Sequence, residues 1–266
     1  GDESVERLGQ THEIRLEHVS FRYEGKQEDT IHDLSLTIAP GEKIALVGHN
    51  GAGKSTLVKL LCGFYHPTQG RILVGGHSIE EYDLNEYYKL LSTIFQEANM
   101  LPLSIACNVS GMGEEHTDMD KVRKCLEEAG LSGDIEKLEN REQTYLTQTF
   151  RPDGVELSGG MTQKLMLARA IYKDAPIFVL DEPTAALDPI AESRVYQEYD
   201  KFADRKTSIF ISHRLASTKF CDRILFLEKG EILEEGSHEE LLGQGGKYAE
   251  MFQIQSQYYQ EGVDAQ

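Results

Sequence analysis

An α/β fold, a mostly parallel sheet with a helical lobe inserted in it, is what this sequence predicts, and three observations carry the prediction. Short, nearly all-apolar runs (KIALVG, PIFVLD, TSIFISH) read as strands covered on both faces. The later two are joined through the helical pattern PIAESRVYQEYDKFA, and strands alternating with helices build parallel βαβ units. Between about 80 and 170 the apolar period lengthens to three or four residues, as a block of helices requires.

In order, EIRLEHVSFRY (13–23) alternates apolar with polar and reads as a half-buried strand. IHDLSLTIA follows as a second strand, ended by the turn Pro40–Gly41. KIALVG is the first buried strand, Gly53–Cys62 a helix, and RILVGG another strand. EEYDLNEYYKLL, MDKVRKCLEEAGL and GGMTQKLMLARAIY are the helices of the lobe. After PIFVLD and TSIFISH, RILFLEKGEILEEG reads as a hairpin turning at Lys229–Gly230, and GKYAEMFQIQSQYY as a closing helix.

Composition narrows the function. Arg and Lys number 27 against 45 for Asp and Glu, a net charge of −18 over 266 residues. That argues against nucleic acid as the main ligand, since phosphate contacts dominate such affinity; a solubilising acidic surface is the plainer reading. No apolar run approaches the roughly 20 residues of a membrane helix, and the acidic start GDESVERLGQ is no signal peptide but linker-like. Cys62, Cys107, Cys125 and Cys221 have neither metal-ligand nor redox spacing, which predicts buried thiols in a reducing, cytosolic compartment.

The strongest chemical signal is GHNGAGKS, Gly48–Ser55, which fits G-x4-G-K-[ST] between a buried strand and a helix. Glycines let backbone N–H groups wrap the β and γ phosphates of a nucleotide, Lys54 supplies a point charge, and Ser55 offers a hydroxyl to Mg²⁺. Thr56 adds a hydroxyl near the α phosphate. Asp181 ends the buried run PIFVLD, where open α/β sheets gather ligands, and its carboxylate can hold the Mg²⁺ shell. Glu182 beside it can polarise an attacking water. Alone, such an acidic pair is common; the upstream phosphate loop gives it weight. Gln96 (IFQE) can reach Mg²⁺ and the water, and His213 (ISHR) can hydrogen-bond a γ phosphate, although a lone residue of either kind at a strand end is more often structural. Tyr23 can stack on adenine or simply be a half-buried strand aromatic. A second anion site opens the helix at LSGGM (157–161), where unpaired N–H groups and the helix dipole favour negative charge.

GHNGAGKST, IFQE, LSGGM, FVLDEP, AALD and ISHR follow one another in an order and spacing that resembles the nucleotide-binding domain of ABC transporters. The resemblance spans about 13–259, leaving 1–12 as linker and 260–266 as a flexible tail, with the helical subdomain inserted at about 80–170. It implies a P-loop NTPase core of RecA-like type with an N-terminal antiparallel β subdomain. Carried over, Tyr23 matches the adenine-stacking loop, Gly48, Asn50, Gly51, Ala52, Gly53, Lys54, Ser55 and Thr56 the Walker A motif, and Gln96 the Q-loop. Ser158, Gly159 and Gly160 match the signature, Asp181 the Walker B aspartate, and Glu182 the catalytic glutamate. Ala186, Leu187 and Asp188 match the D-loop, and His213 the switch histidine. The cofactors implied are ATP and Mg²⁺.

In that family two domains pack head to tail, and the signature helix of one closes on ATP held by the Walker A loop of the other. FRYEG, IFQEANMLPLSIACNVS and GSHEELLGQGGKYAEMFQIQSQYY resemble exporters, and TQTFRPDGVELSGG a bacterial branch tied to peptides. The resemblance implies a transmembrane domain on the same polypeptide, a second nucleotide-binding domain as homodimer or heterodimer, and a place at the cytoplasmic face of the membrane. Alternatives are a soluble ABC ATPase acting on nucleic acid or ribosomes, and a regulatory nucleotide-binding module. Two departures stand out: Met161 where the signature usually has Gln or Glu, and RPDGVE where exporters carry an acidic Gly-Glu-Arg-Gly type stretch.

Overall fold

The computed structural model describes residues 12–95, 100–147, 152–181 and 189–264. Strand β1 (Ile14–Phe21) pairs antiparallel with β2 (Ile31–Ile38), Ile14 opposite Ile38 and Leu16 opposite Leu36. The next strand, β3 (Lys43–Val47), starts a second sheet and runs to the phosphate loop and helix α1 (Lys54–Leu61). β4 (Gln69–Val74) and β5 (His77–Ser78) return to the first sheet, whose order is β2-β1-β4-β5. The predicted alternation breaks within β1: the register shifts between Leu16 and Val19, and His18 takes φ 51°. This bulge changes the strand's phase, so Val19, Ser20 and Phe21 are buried in succession. The strand also stops at Phe21, short of Tyr23.

Helix α2 (Leu84–Lys89) is capped by the Asp83 carboxylate, and β6 (Leu91–Phe95), a strand that the helical period of this region conceals, follows it. Further along come α3 (Ile105–Ser110), α4 (Met119–Glu128), α5 (Ser132–Ile135), α6 (Gly159–Lys173), β7 (Ile177–Asp181) and α7 (Pro189–Phe202). The chain closes with β8 (Thr207–Ile211), β9 (Arg223–Glu228), β10 (Glu231–Gly236), α8 (His238–Gln244) and α9 (Lys247–Asp264). The second sheet has the order β10-β9-β3-β8-β7-β6. Its β9–β3, β3–β8 and β8–β7 pairs are parallel, and β10 folds back antiparallel on β9. The fold is thus α/β, with one antiparallel and one mostly parallel sheet. Of β3, β7 and β8, every residue is buried except Lys43 and Asp181 at the ends, as a sheet covered on both faces demands.

Chain contacts divide the molecule into two compact units. The first takes in the chain to Leu91, residues 176–182, and everything from Ala203 on; the second holds Ser92–Ala175 and Pro183–Phe202. The helical pattern starting near 80 therefore begins in the first unit. There Tyr87 of α2, only 2% exposed, donates its hydroxyl proton to the carbonyl of Leu61 at the end of α1. Periodicity says that a residue is buried, not on which body. All four cysteines are buried thiols outside any disulfide, as their spacing predicts. No helix among the described residues is long and apolar enough to cross a membrane.

The second unit is organised on α6, which buries Leu165, Met166, Leu167, Ala168, Ala170 and Tyr172. A polar knot sits beside it. Asn108 of α3, 1% exposed, accepts from the Leu101 amide at 2.9 Å and donates to the carbonyls of Leu101 and Ser104 at 3.0 Å. Arg169 of α6 donates Nε to the Asn108 carbonyl at 2.7 Å and Nη2 to its side-chain oxygen at 3.2 Å. These bonds fold 101–104 back on α3 and leave Leu101 and Leu103 facing outward, 52% and 39% exposed. Asn108→Ala strands the Leu101 amide and part of the guanidinium. We expect it to destabilise the unit by about 3 kcal/mol, read as a lower urea midpoint, because a buried polar group without a partner costs its desolvation energy.

Candidate nucleotide site

Parallel pairing brings three strand ends into one row in the first unit. Leu46 of β3 lies opposite Ile211 of β8, and Ile211 lies opposite Asp181 of β7. Gly48 is two residues beyond Leu46 and His213 two beyond Ile211, so the glycine-rich loop, Asp181 and His213 leave the same edge of one sheet. Ser212, buried, donates its amide to the Leu46 carbonyl at 3.3 Å, fastening β8's exit to β3's. This is the carboxyl edge at which open α/β sheets bind ligands.

The phosphate loop is shaped by its surroundings as much as by its own glycines. Gly48 has φ 146°, and a Cβ there would stand 2.3 Å from the carbonyl oxygen of Leu227 on β9. At Gly53, φ 106°, a Cβ would stand 2.8 Å from Ile31 Cδ1 and 3.1 Å from the Thr30 carbonyl oxygen. Gly230, in the β9–β10 turn, donates its amide to the Ala52 carbonyl at 2.9 Å, and Ala52 donates to His49 at 3.1 Å. The predicted hairpin turn is therefore one wall of the loop.

Lys54, 6% exposed, donates to the carbonyls of Gly48 at 2.7 Å and His49 at 3.0 Å, so its ammonium sits inside the curve of the loop. Helix α1 has no side-chain cap and no acidic residue in its first turn. By contrast α2, α3, α4, α6 and α8 are all capped by Asp or Ser side chains. Its first-turn N–H groups thus point out of a glycine loop beside a lysine, which is an anion cradle. Ser55 is exposed at that turn, and Asp181 is half-buried at the strand end. A hydroxyl and a carboxylate are the oxygen donors that suit Mg²⁺. The donor set fits a magnesium nucleotide.

Tyr23 and Thr56 belong to one cluster: the Tyr23 hydroxyl and Thr56 Oγ1 lie 2.9 Å apart. The Tyr23 ring stands edge-on to Phe21 at 4.9 Å and to Tyr65 at 5.6 Å between centroids. Tyr65, half-buried after α1, is a residue that reading the sequence passed over; only the fold brings it beside Tyr23. Asn50 and Gly51 are exposed at the loop's rim, with open space around the Gly51 Cα.

In the second unit, Ser158 Oγ accepts the Met161 amide at 3.3 Å and so caps α6. An accepting hydroxyl keeps its own proton to donate. The departure at Met161 leaves this bond intact, because only its main chain takes part. Gly159 and Gly160 open α6 without a positive φ, and among the described residues nothing lies within 4 Å of the place a Cβ would take. Gln96, Glu182, Ala186, Leu187 and Asp188 lie outside the described residues.

The family profile described as "ABC transporter" matches residues 31–185. The chain belongs to the ABC transporter family, and its fold is that of the family's nucleotide-binding ATPase domain, of the exporter type. It is 40% identical over 244 residues to an ATP-dependent lipid A-core flippase of Chromohalobacter salexigens, covering 92% of this chain and 41% of that protein. It is 42% identical over 245 residues to one from Burkholderia orbicola, covering 92% and 40%. A solved structure of a bacterial Atm1-family ABC exporter with ATP bound superimposes with a TM-score of 0.83 at 33% identity, covering 92% of this chain and 42% of that one. The chain spans about two fifths of the length of the relatives it matches.

Because the Leu227 carbonyl fills the space beside Gly48, we expect Gly48→Ala to lower the melting temperature. It should also abolish binding of a fluorescent ATP analogue, whereas Gly51→Ala, strained by its φ of 81° but with no described atom within 4 Å of its Cβ, should lose less binding.

Proposed function

We propose that this chain is the ATP-hydrolysing motor of an exporter, closing head to tail on a second nucleotide-binding domain around two ATP. The observation that carries this reading is the uncapped α1 behind a loop curled round Lys54, in line with Asp181 and His213 at one sheet edge. On this reading the loop amides and Lys54 hold the β and γ phosphates, and Tyr23 packs on adenine. Ser55, Gln96 and Asp181 hold Mg²⁺, which when bound neutralises charge building on the phosphates. Glu182 orients the attacking water and takes its proton, and His213 hydrogen-bonds the γ phosphate.

The second anion site then serves the partner's nucleotide. Two adjacent glycines weaken a helix start relative to alanine, and among the described residues nothing fills the space they leave. That suits a surface that another molecule must approach closely. With Ser158, Gly159, Gly160 and Asp188 of one domain on the ATP of the other, the nucleotide is the adhesive, and hydrolysis reopens the interface. The outward-facing Leu101 and Leu103 are where a membrane domain would dock. That domain, on the same polypeptide, would place the motor at the cytoplasmic face. Cargo would be chosen in the part of the protein that this chain does not span.

Glu182→Gln should bind ATP and hydrolyse it at least about a hundredfold more slowly, a loss in the range of general-base catalysis. By size-exclusion chromatography with light scattering it should be monomeric alone and dimeric with ATP and Mg²⁺. A monomer under both conditions, with ATP bound, would sink self-sufficient closure. Gly160→Ala should leave the melting temperature unchanged or raised, yet prevent that dimer; a dimer of normal stability would remove Gly160 from the partner's site.

A further inference from the structure

Resting on the reading of His213 above, we propose that Gln255, in the C-terminal helix α9, is a positioning residue that sets the switch histidine for hydrolysis. One side-chain amide spans the tripeptide that begins with His213. Gln255 Nε2 donates to the His213 carbonyl at 2.5 Å, and its Oε1 accepts the Leu215 amide at 2.9 Å. The orientation of the amide is fixed by chemistry, since a carbonyl needs a donor and an N–H an acceptor. Both backbone groups flanking Arg214 are thereby tied to a helix 40 residues later in the sequence.

The rest of the loop is already fixed from its own side. Ser212 Oγ accepts the Arg214 amide at 3.0 Å and donates to the Arg214 carbonyl at 3.2 Å, and Thr218 Oγ1 donates to the Leu215 carbonyl at 3.0 Å. Ser212, Leu215 and Thr218 are buried. The half-buried His213 stands between these anchors, and Gln255 binds its own carbonyl. With Ser212 held to β3 on one side and Gln255 on the other, the histidine's backbone has little freedom to turn.

Helix α9 is a rigid platform for this contact. Tyr248, Phe252 and Gln255 fall at i, i+4 and i+7 and so share one face. Tyr248 is fully buried, and its hydroxyl meets His238 Nδ1 at 2.8 Å. The Phe252 ring lies stacked on Tyr248 and under the Lys219 ammonium at 4.8 Å. At the helix start, the Glu234 carboxylate of β10 accepts the amides of Lys247 and Tyr248 at 2.5 and 3.0 Å. Lys247 Nζ pairs with Glu228 of β9 at 2.5 Å. These are the strands whose turn walls the phosphate loop. The same helix thus braces the hairpin behind the phosphate loop at one end and the switch loop at the other.

The test compares Gln255→Met, which keeps length and helix propensity but makes neither bond, with His213→Ala and the double variant, all in the 266-residue chain. Gln255→Met should lower kcat about tenfold, the scale of a misplaced catalytic group, with ATP-analogue affinity within about twofold of the parent. The Leu215 amide should exchange faster with solvent, and the His213 ring resonance, identified by its loss in His213→Ala, should shift. Added to His213→Ala, it should cause no further slowing. Gln255→Glu keeps the acceptor for Leu215 but faces the His213 carbonyl with no donor, so it should slow turnover with the Leu215 amide still protected; it carries the test if Gln255→Met folds poorly. Turnover within about twofold of the parent in the Gln255 variants, with His213→Ala inactive, overturns the proposal. So does equal slowing by Gln255→Met in both backgrounds. Normal turnover in His213→Ala instead removes the role given to His213, and with it the reason to position it.

Discussion

Parallel pairing of β3, β8 and β7 is the constraint on which the rest depends. In a parallel sheet every strand delivers its carboxyl end to the same edge, and register decides which residues arrive together. Here Leu46, Ile211 and Asp181 stand in one row. A glycine-rich loop, the loop holding His213 and an acidic strand end, spread over more than 160 residues of chain, leave one edge for that reason alone. The burial of these strands on both faces protects the register, because slipping any of them would push a polar strand end into the core.

A glycine loop could adopt many shapes, and the hairpin selects one. The Leu227 carbonyl occupies the space a side chain at Gly48 would need, and the Gly230 amide holds Ala52. The glycines are needed for two separate reasons, φ at the turn and the close approach of a neighbouring strand. Helix α9 supports the arrangement from behind through Glu228 and Glu234. The glycine-rich loop is thus held in shape by a hairpin, and the hairpin by a helix, that lie outside it.

The second unit follows a different logic. It is built round one long helix whose first turn is sparse: a serine cap, two glycines with no described atom beside their Cβ positions, then the apolar face. Alanines there would make a better helix. The knot of Asn108 and Arg169 spends buried hydrogen bonds on holding 101–104 in a shape that exposes leucines. The glycines give up local helix stability, whereas the knot adds stability and uses it to fix a loop that exposes its leucines.

What the sequence by itself determined is local or carried by short motifs: the buried strands, the helices, the buried cysteine thiols, and the phosphate loop, whose residue types leave one chemistry. The order of the family's motifs then named the remaining candidates, among which Tyr23, Lys54, Asp181 and His213 have a described place. Tertiary structure decided what depends on residues far apart. A bulge at His18 turned the end of β1 inward, and α2 joined the first unit although its period matched the helices after it. Tyr65 came beside Tyr23, and Gln255 came beneath His213. Apolar periodicity reports that a face is buried but not what buries it, and a lone glutamine on a helix carries no mark of its partner. Those choices are made by long-range packing, which no window of sequence contains.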